Sequence, residues 1–364
     1  MAKFSFNNKN NEFFISLKKD VDNYFITNNI DKTGDWRLYL KTAILLVTAI
    51  LTYTILVFYT PPAIVALPLC VLLGLTFAGI GFNIMHDANH GAYSNNKNLN
   101  FILGLTADII GVNSFMWRQK HNVIHHTYTN VDNIDDDIAK SPAIRQCSTQ
   151  KWVPAHKYQH IYLFGAYALS ATFWILVMDF AKYFTRKING TPMQKMHLKD
   201  HVIFWTAKTL HFFLYLIMPI YLLGFAPVIL GYLVTSFALG LTLAFVFQLA
   251  HVVEETQFEV SDGMNDKVIE SAWAIHQINT TANFAPKNKL VNWYVGGLNF
   301  QVEHHLFPRI SHVHYPAIAG IVEAKCKAFG LTYNSMPTMW NAVKSHLSFM
   351  KSLGQKPAHL INAA

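Results

Sequence analysis

Residues 43–90 read AILLVTAILTYTILVFY, then TPP, then AIVALPLCVLLGLTFAGIGFNIM, then HDANH. Two apolar runs are separated only by Thr60-Pro61-Pro62. A helix needs about 20 apolar residues to cross a bilayer core, so 43–59 and 63–85 are each about long enough to span. The short joint makes them a tight hairpin, because a helix does not run through a proline pair. Both outer ends of the hairpin then lie on one side of the membrane. His86 and His90 follow the second run directly and belong to that side.

The rest of the 364-residue chain fits this start. Charged residues make up only 14%, mean hydropathy is +0.22, and aromatics reach 14% with eight Trp, as expected for side chains at a bilayer interface. The net charge of +8 is not gathered into one basic helix or patch. That disfavours nucleic acid and leaves anionic lipid or an acidic partner. Histidine is the outlier, at 18 residues against three cysteines. Cys70, Cys147 and Cys326 show no zinc spacing and no disulfide framework.

Three further apolar runs cover 161–180, 202–224 and 226–250. The stretch 101–116 contains Asp108 and Asn113 and reads as an interfacial or buried helix. Lys140, Arg145, Lys151 and Lys157 precede 161–180, and Lys182, Arg186, Lys187, Lys195 and Lys199 follow it. The positive-inside rule puts both flanks in the cytoplasm, so 161–180 dips into the membrane or lies in its interface. The runs 202–224 and 226–250 make a second hairpin. The opposite choice, with 161–180 crossing, stays open because Lys208 and His211 interrupt 202–224. The expected fold is an all-α integral membrane protein, multi-pass, with two transmembrane helical hairpins (four spanning helices), interfacial helices and a helical cytoplasmic cap. Residues 1–40 are too polar for a signal peptide. Phe14, Leu17, Val21 and Tyr24 recur there at helical spacing, which predicts an amphipathic segment lying on protein or membrane. Residues 41–335 form the membrane domain and 336–364 a C-terminal tail, with both termini cytoplasmic.

Four groups of histidines stand against this frame: HDANH (His86, His90), HNVIHH (His121, His125, His126), His251 at the end of 226–250, and His304 with His305 in FQVEHHLFPRI. Spacing i, i+4 puts two imidazoles on one helical face, within reach of one ion. Adjacent histidines diverge by about 100° around a helix, so His126 turns away from the pair His121 and His125, and His304 and His305 divide likewise. That arrangement suits two metals. The hairpin model brings all eight to one cytoplasmic face. Imidazole without thiolate suits iron, zinc or copper. Asp87, Asn89 and Glu303 are candidate acceptors for imidazole N–H groups. The acidic run Asp132, Asp135, Asp136 and Asp137 reads equally as a solvated loop or as ligand-orienting.

In order and spacing, HDANH, HNVIHH and QVEHH, with GLNFQVEHHLFPRISHVHYP and HQINTTANF around them, resemble the front-end branch of the membrane fatty acid desaturase family. The resemblance covers roughly 40–335. In that branch Gln301 stands where other desaturases have histidine. It implies two non-haem irons held by His86, His90, His121, His125, His126, His251, His304 and His305, with Gln301 as a weak or water-mediated ligand. It implies an oxygen-dependent, Δ6- or Δ5-type desaturation of an acyl-CoA or acyl-lipid. Many front-end members carry a fused cytochrome b5 domain, but no His-Pro-Gly-Gly motif occurs here. Electrons are therefore expected from a separate carrier of cytochrome b5 or ferredoxin type, and a basic face that includes Arg118, Lys120 and Arg309 is a candidate dock for an acidic carrier or an acyl-CoA phosphate. Two rivals remain: an acyl or sphingoid hydroxylase on the same metals, and a bis-histidine haem protein that only transfers electrons.

Overall fold

The computed structural model describes residues 4–7, 9, 11–138, 142–260 and 267–357. Of the residues singled out above, Lys140 and the end of the tail (358–364) lie outside the described residues. The chain is mostly helical. Helix α1 (Glu12–Asn28) precedes two apolar helices, α2 (Trp36–Tyr59) and α3 (Ala63–His90). Next come α4 (Lys97–Ile110) and α5 (Ser114–His125), a pair bent by 109°. Three more apolar helices follow: α6 (Pro154–Thr185), α7 (Leu198–Leu223) and α8 (Phe225–His251). The chain then makes α9 (Trp273–Thr280), α10 (Lys289–Tyr294), α11 (Gln301–Leu306), α12 (Tyr315–Ala328) and α13 (Met339–Leu353).

All five apolar runs read from the sequence thus fold as helices long and apolar enough to cross a membrane. The all-α expectation needs one amendment. Among the described residues three two-stranded pairings occur, Phe4–Phe6 with Lys267–Ile269, Lys187–Ile188 with Thr191–Pro192, and Asn283–Phe284 with Ser335–Met336. The weak stretch 101–116 spreads over α4, the turn at Gly111 and the start of α5.

Small residues let the apolar helices approach closely, as they must where no hydrophobic force drives association in lipid. Helix α8 runs parallel to α3, with Thr235 Oγ1 donating to Cys70 O at 3.1 Å and Gly81 lying beside Leu243. Gly74 of α3 sits directly against the backbone of Thr235. On its other side α8 runs antiparallel to α6, where Thr172 Oγ1 donates to Ser236 Oγ at 2.9 Å. There a Cβ at Gly240 would fall 2.7 Å from Ala168 O and 2.8 Å from Tyr167 O. The parallel run of α3 and α8 brings His90 and His251, their last residues, to the same end.

Lys208 does not interrupt α7 and is itself buried. Its Nζ donates to Gly111 O (2.7 Å), Ile175 O (3.0 Å) and Asp179 Oδ2 (2.8 Å). Asp179 also accepts from Asn113 N at 2.9 Å. This ion pair pins the turn between α4 and α5 to α6 and α7.

A second apolar cluster lies beyond the histidine end. The α1 residues Phe13, Leu17, Val21 and Phe25 pack there with Val302, Leu306, Ile318 and Val322. The amphipathic N-terminal segment therefore lies on protein, one residue out of the expected register at Phe13 and Phe25. Residues 339–353, within the expected tail, fold as α13. Its His346 donates from Nδ1 to Val252 O at 2.6 Å and accepts from Tyr167 OH at 3.1 Å.

Gly240→Ala is expected to lower the melting temperature in detergent by an amount equivalent to about 1–3 kcal/mol, the cost of overpacking. Gly165→Ala, in α6 with open space around the new methyl, is expected to leave it unchanged or raise it.

Candidate metal centre

The eight histidines expected to meet do meet. His86, His90, His121 and His304 bring one nitrogen each to within 4.8 Å of the others. His125, His251 and His305 do the same beside them, and His126 lies between, grouped with His304 and His305. The adjacent pair His304–His305 on α11 divides between the clusters, as a step of about 100° requires.

The second histidine group departs from expectation. His121 and His125 do bring ligand atoms within 4.8 Å of each other, together with Asp137, while His121 also joins His86, His90 and His304, and His125 joins His251 and His305. What departs is His126, which returns to His121 with the two Nε2 atoms 3.2 Å apart. The reason is local. Residues Gln119–His125 form a π-helical turn, and His126 N donates to His121 O at 3.0 Å, an i→i−5 bond. On an α-helix, residues five apart diverge by about 140°. The π turn closes that gap and sets His126 over His121. A second π turn, Gly81–Met85, directly precedes His86. Such bulges gather at functional sites, and hydrophobic periodicity carries no sign of them.

Donor chemistry fits a metal. Nε2 of His90, His125, His251, His304 and His305 is buried with no hydrogen-bond partner. His86 Nε2 faces His121 Nε2 at 3.2 Å, close to the separation of two nitrogens about 2 Å from one ion. Burial, reinforced by the neighbouring imidazoles, holds His304 and His305 well below the ordinary imidazole pKa. They are neutral, the form that ligates.

Of the partners that fix the outward nitrogens, only Asp135 is among the candidates read from the sequence. His125 Nδ1 meets Asp135 Oδ2 at 3.0 Å, so that member of the acidic run orients a histidine. His305 Nδ1 donates to Gln277 Oε1 at 2.9 Å, His251 Nδ1 lies 3.3 Å from Thr280 O, and His304 Nδ1 lies 3.1 Å from Tyr315 OH. Gln277, Thr280 and Tyr315 belong to HQINTTANF and SHVHYP, the one sequence signal that pointed near them.

Of the three expected acceptors, Asp87 takes an imidazole N–H, that of His312, while Asn89 and Glu303 bond other groups. Asp87 accepts from Ser311 Oγ (2.7 Å) and His312 Nδ1 (2.9 Å) and is 4.0 Å from His86. His312 Nε2 in turn faces Lys41 Nζ at 3.0 Å. Asp87 thereby clamps α3 to the segment after α11. Asn89 donates to Met85 O and Gly104 O and accepts from Arg118 at 2.9 Å. Glu303 accepts from Asn283 Nδ2 (2.8 Å) and Tyr333 OH (2.7 Å), and burial pushes its carboxyl up to about 7. Lys120, expected on an exposed basic face, is buried in an ion pair with Asp137. Arg309 is exposed. Gln301 is buried one turn before the His304–His305 pair on α11.

A porphyrin has no place here. Two axial imidazoles sit on opposite faces of one iron, with the ring plane between them clear. Here four imidazoles crowd one point, and His90 lies 4.8 Å from His126 and 5.2 Å from His121 between ring centroids.

Tyr333→Phe strips one donor from the buried Glu303 and is expected to cost about 1–3 kcal/mol. Thermal denaturation in detergent measures that loss, and iron binding is expected to stay intact.

Sequence comparison with known proteins points to the same family. The family model for "Fatty acid desaturase" matches residues 62–337. The sn-1 linoleoyl-lipid 6-desaturase of Synechocystis sp. is 37% identical over 347 residues, covering 93% of this chain and 94% of its own. Its namesake from Arthrospira platensis is 35% identical, with 94% and 92% covered. The acyl-lipid (8-3)-desaturase of Physcomitrium patens is 37% identical over 95% of this chain and 72% of its own. A match that encloses all four histidine groups, on a scaffold of five apolar helices, makes this chain a multi-pass membrane protein belonging to the fatty acid desaturase family.

Proposed function

We propose that the protein is a front-end acyl-lipid desaturase of Δ6 type, which inserts a cis double bond between an existing one and the carboxyl end. The observation that carries this reading is the convergence of unpartnered imidazole nitrogens into two adjoining clusters. The two relatives that match nearly end to end are both named for a linoleoyl-lipid. That favours a glycerolipid over acyl-CoA.

The ligands in this reading are His86, His90, His121, His125, His126, His251, His304 and His305, shared by two irons, with Gln301 acting through water. An unactivated methylene has no acidic proton, so general acid–base chemistry cannot begin the reaction. The irons, when bound, supply the oxidising chemistry. Overall, –CH2–CH2– with O2, two electrons and two protons gives –CH=CH– and two waters. The electrons come from a separate carrier of cytochrome b5 or ferredoxin type. The chain keeps its imidazoles neutral, fixes their orientation from behind and shields the site from water. The apolar helices deliver a lipid chain from the bilayer.

The proposed topology is two hairpins, α2–α3 and α7–α8, with α6 dipping in from the cytoplasmic side. Both ends of α6 meet segments of the histidine end, α13 at one and the stretch after α5 at the other. Gln159 Nε2 donates to Met350 O at 2.7 Å, and Lys182 pairs with Asp136 at 2.8 Å, next to the histidine-binding Asp135. Tyr59, Tyr221 and Phe225 are exposed at the two hairpin tips, where aromatic side chains settle at an interface. The histidines, the cap built on α1 and α12, the segment before residue 41 and that after residue 335 are then cytoplasmic.

Two experiments test these statements. Expression in a host fed defined fatty acids, followed by gas chromatography and mass spectrometry, is expected to show a product two hydrogens lighter, with its new double bond toward the carboxyl end. His304→Ala is expected to abolish it, and an oxygenated product would favour hydroxylation instead. For topology, Thr60→Cys and Phe225→Cys are expected to react with an impermeant maleimide outside intact cells, and Lys187→Cys only after permeabilisation. The native cysteines Cys70, Cys147 and Cys326 are buried, so background labelling is low.

A further inference from the structure

Behind the two histidine clusters the protein is built unequally. In the cluster of His125, His251 and His305, every Nδ1 has an acceptor: a carboxylate (Asp135), a backbone carbonyl (Thr280) and an amide oxygen (Gln277). In the cluster of His86, His90, His121 and His304, only His304 has one within hydrogen-bond distance among the described residues, the neutral phenol of Tyr315, while Asp87 Oδ1 stands 4.0 Å from His86 Nδ1. Solvent access differs in the same direction. His125, His251 and His305 are 0% exposed, whereas His86, His90 and His121 are 6%, 8% and 7% exposed.

The acceptors of the first cluster are themselves locked. Asp135 also takes the backbone N–H of Asn130 (3.0 Å) and of Asp137 (3.0 Å). Gln277 Oε1 also takes the Thr129 hydroxyl (2.8 Å), and Thr129 lies one turn after His125. A ligand at His305 Nε2 requires hydrogen on Nδ1, so the atom facing it has to be the amide oxygen. Gln277 and Thr129 thus tie α9, α11 and the segment following α5 into one frame around this cluster.

We propose that the two metal positions are inequivalent: the His125–His251–His305 position is the tight one, and Asp135 and Gln277 are the positioning residues that make it so. Partners behind a metal-bound histidine fix its tautomer and raise its basicity, and losing one typically costs 10–100-fold in metal affinity. The position with three such partners and no solvent path outlasts the one with a single phenol. This inference rests on the two-iron reading above.

The test is iron release from the full-length, iron-loaded protein in detergent, with 2,2′-bipyridine as the probe and metal content measured alongside. The wild type is expected to bind two irons and lose them in two phases, whose rates differ about tenfold or more. Gln277→Leu is expected to speed only the slow phase. Gln277→Glu, which keeps an acceptor for His305, is expected to restore it. Tyr315→Phe is expected to speed only the fast phase. Two irons leaving the wild type in a single phase would overturn the inference while sparing the two-iron reading, and this outcome needs no variant to fold. A slow phase unchanged in Gln277→Leu would also overturn it. A wild type that binds only one iron overturns the two-iron reading and the inference together.

Discussion

Eight imidazoles can share one buried volume only while they stay neutral and their inward nitrogens have something to bind. Protonation would crowd positive charge where water cannot screen it, and an unpartnered buried nitrogen is itself costly. The rest of the structure follows from this constraint. The outward nitrogens go to Asp135, Gln277, Thr280 and Tyr315, which leaves the inward ones bare. Those four partners come from three separate stretches of chain. The second helical layer, with α1 packed on α12, closes over the segments that carry them.

The bilayer imposes the complementary constraint. Apolar helices keep polar chemistry at their ends, so α3 and α8 run parallel and deliver His86, His90 and His251 to one level. Where a charge does occur within an apolar helix it is neutralised on the spot. Lys208 of α7 is held by Asp179 and two carbonyls. That pair also anchors the bend between α4 and α5, and α5 leads into the π turn that carries His121 and His125. A residue that weakens α7 as an apolar run is therefore part of what positions the site.

Much of this was legible in the sequence. The five apolar runs, the hairpin at Thr60-Pro61-Pro62 and the four histidine groups all rest on short-range patterns, and each appears where those patterns put it. The division of His304 from His305 follows from helical geometry alone. The reading that His126 turns away from His121 failed, because it assumed an α-helix where a π turn forms. Asp87 does accept an imidazole N–H, but that of His312 and not of a clustered histidine, and Glu303 accepts from Asn283 and Tyr333 instead. Each is adjacent in sequence to a clustered histidine, yet helix direction turns it elsewhere. Nearness along the chain says little about which face a side chain shares.

By itself, the sequence determined which residues are candidates for the metal site, that they gather at one end of the apolar helices, and that the scaffold is a membrane protein. These depend on hydrophobic run length and residue spacing, which are local. Only the tertiary structure decided how the histidines partition into two clusters, which groups hold them from behind, and that one cluster is better held than the other. Those features depend on contacts between segments as far apart as His125 and His305, and on one i→i−5 hydrogen bond. No periodicity within a single segment encodes either.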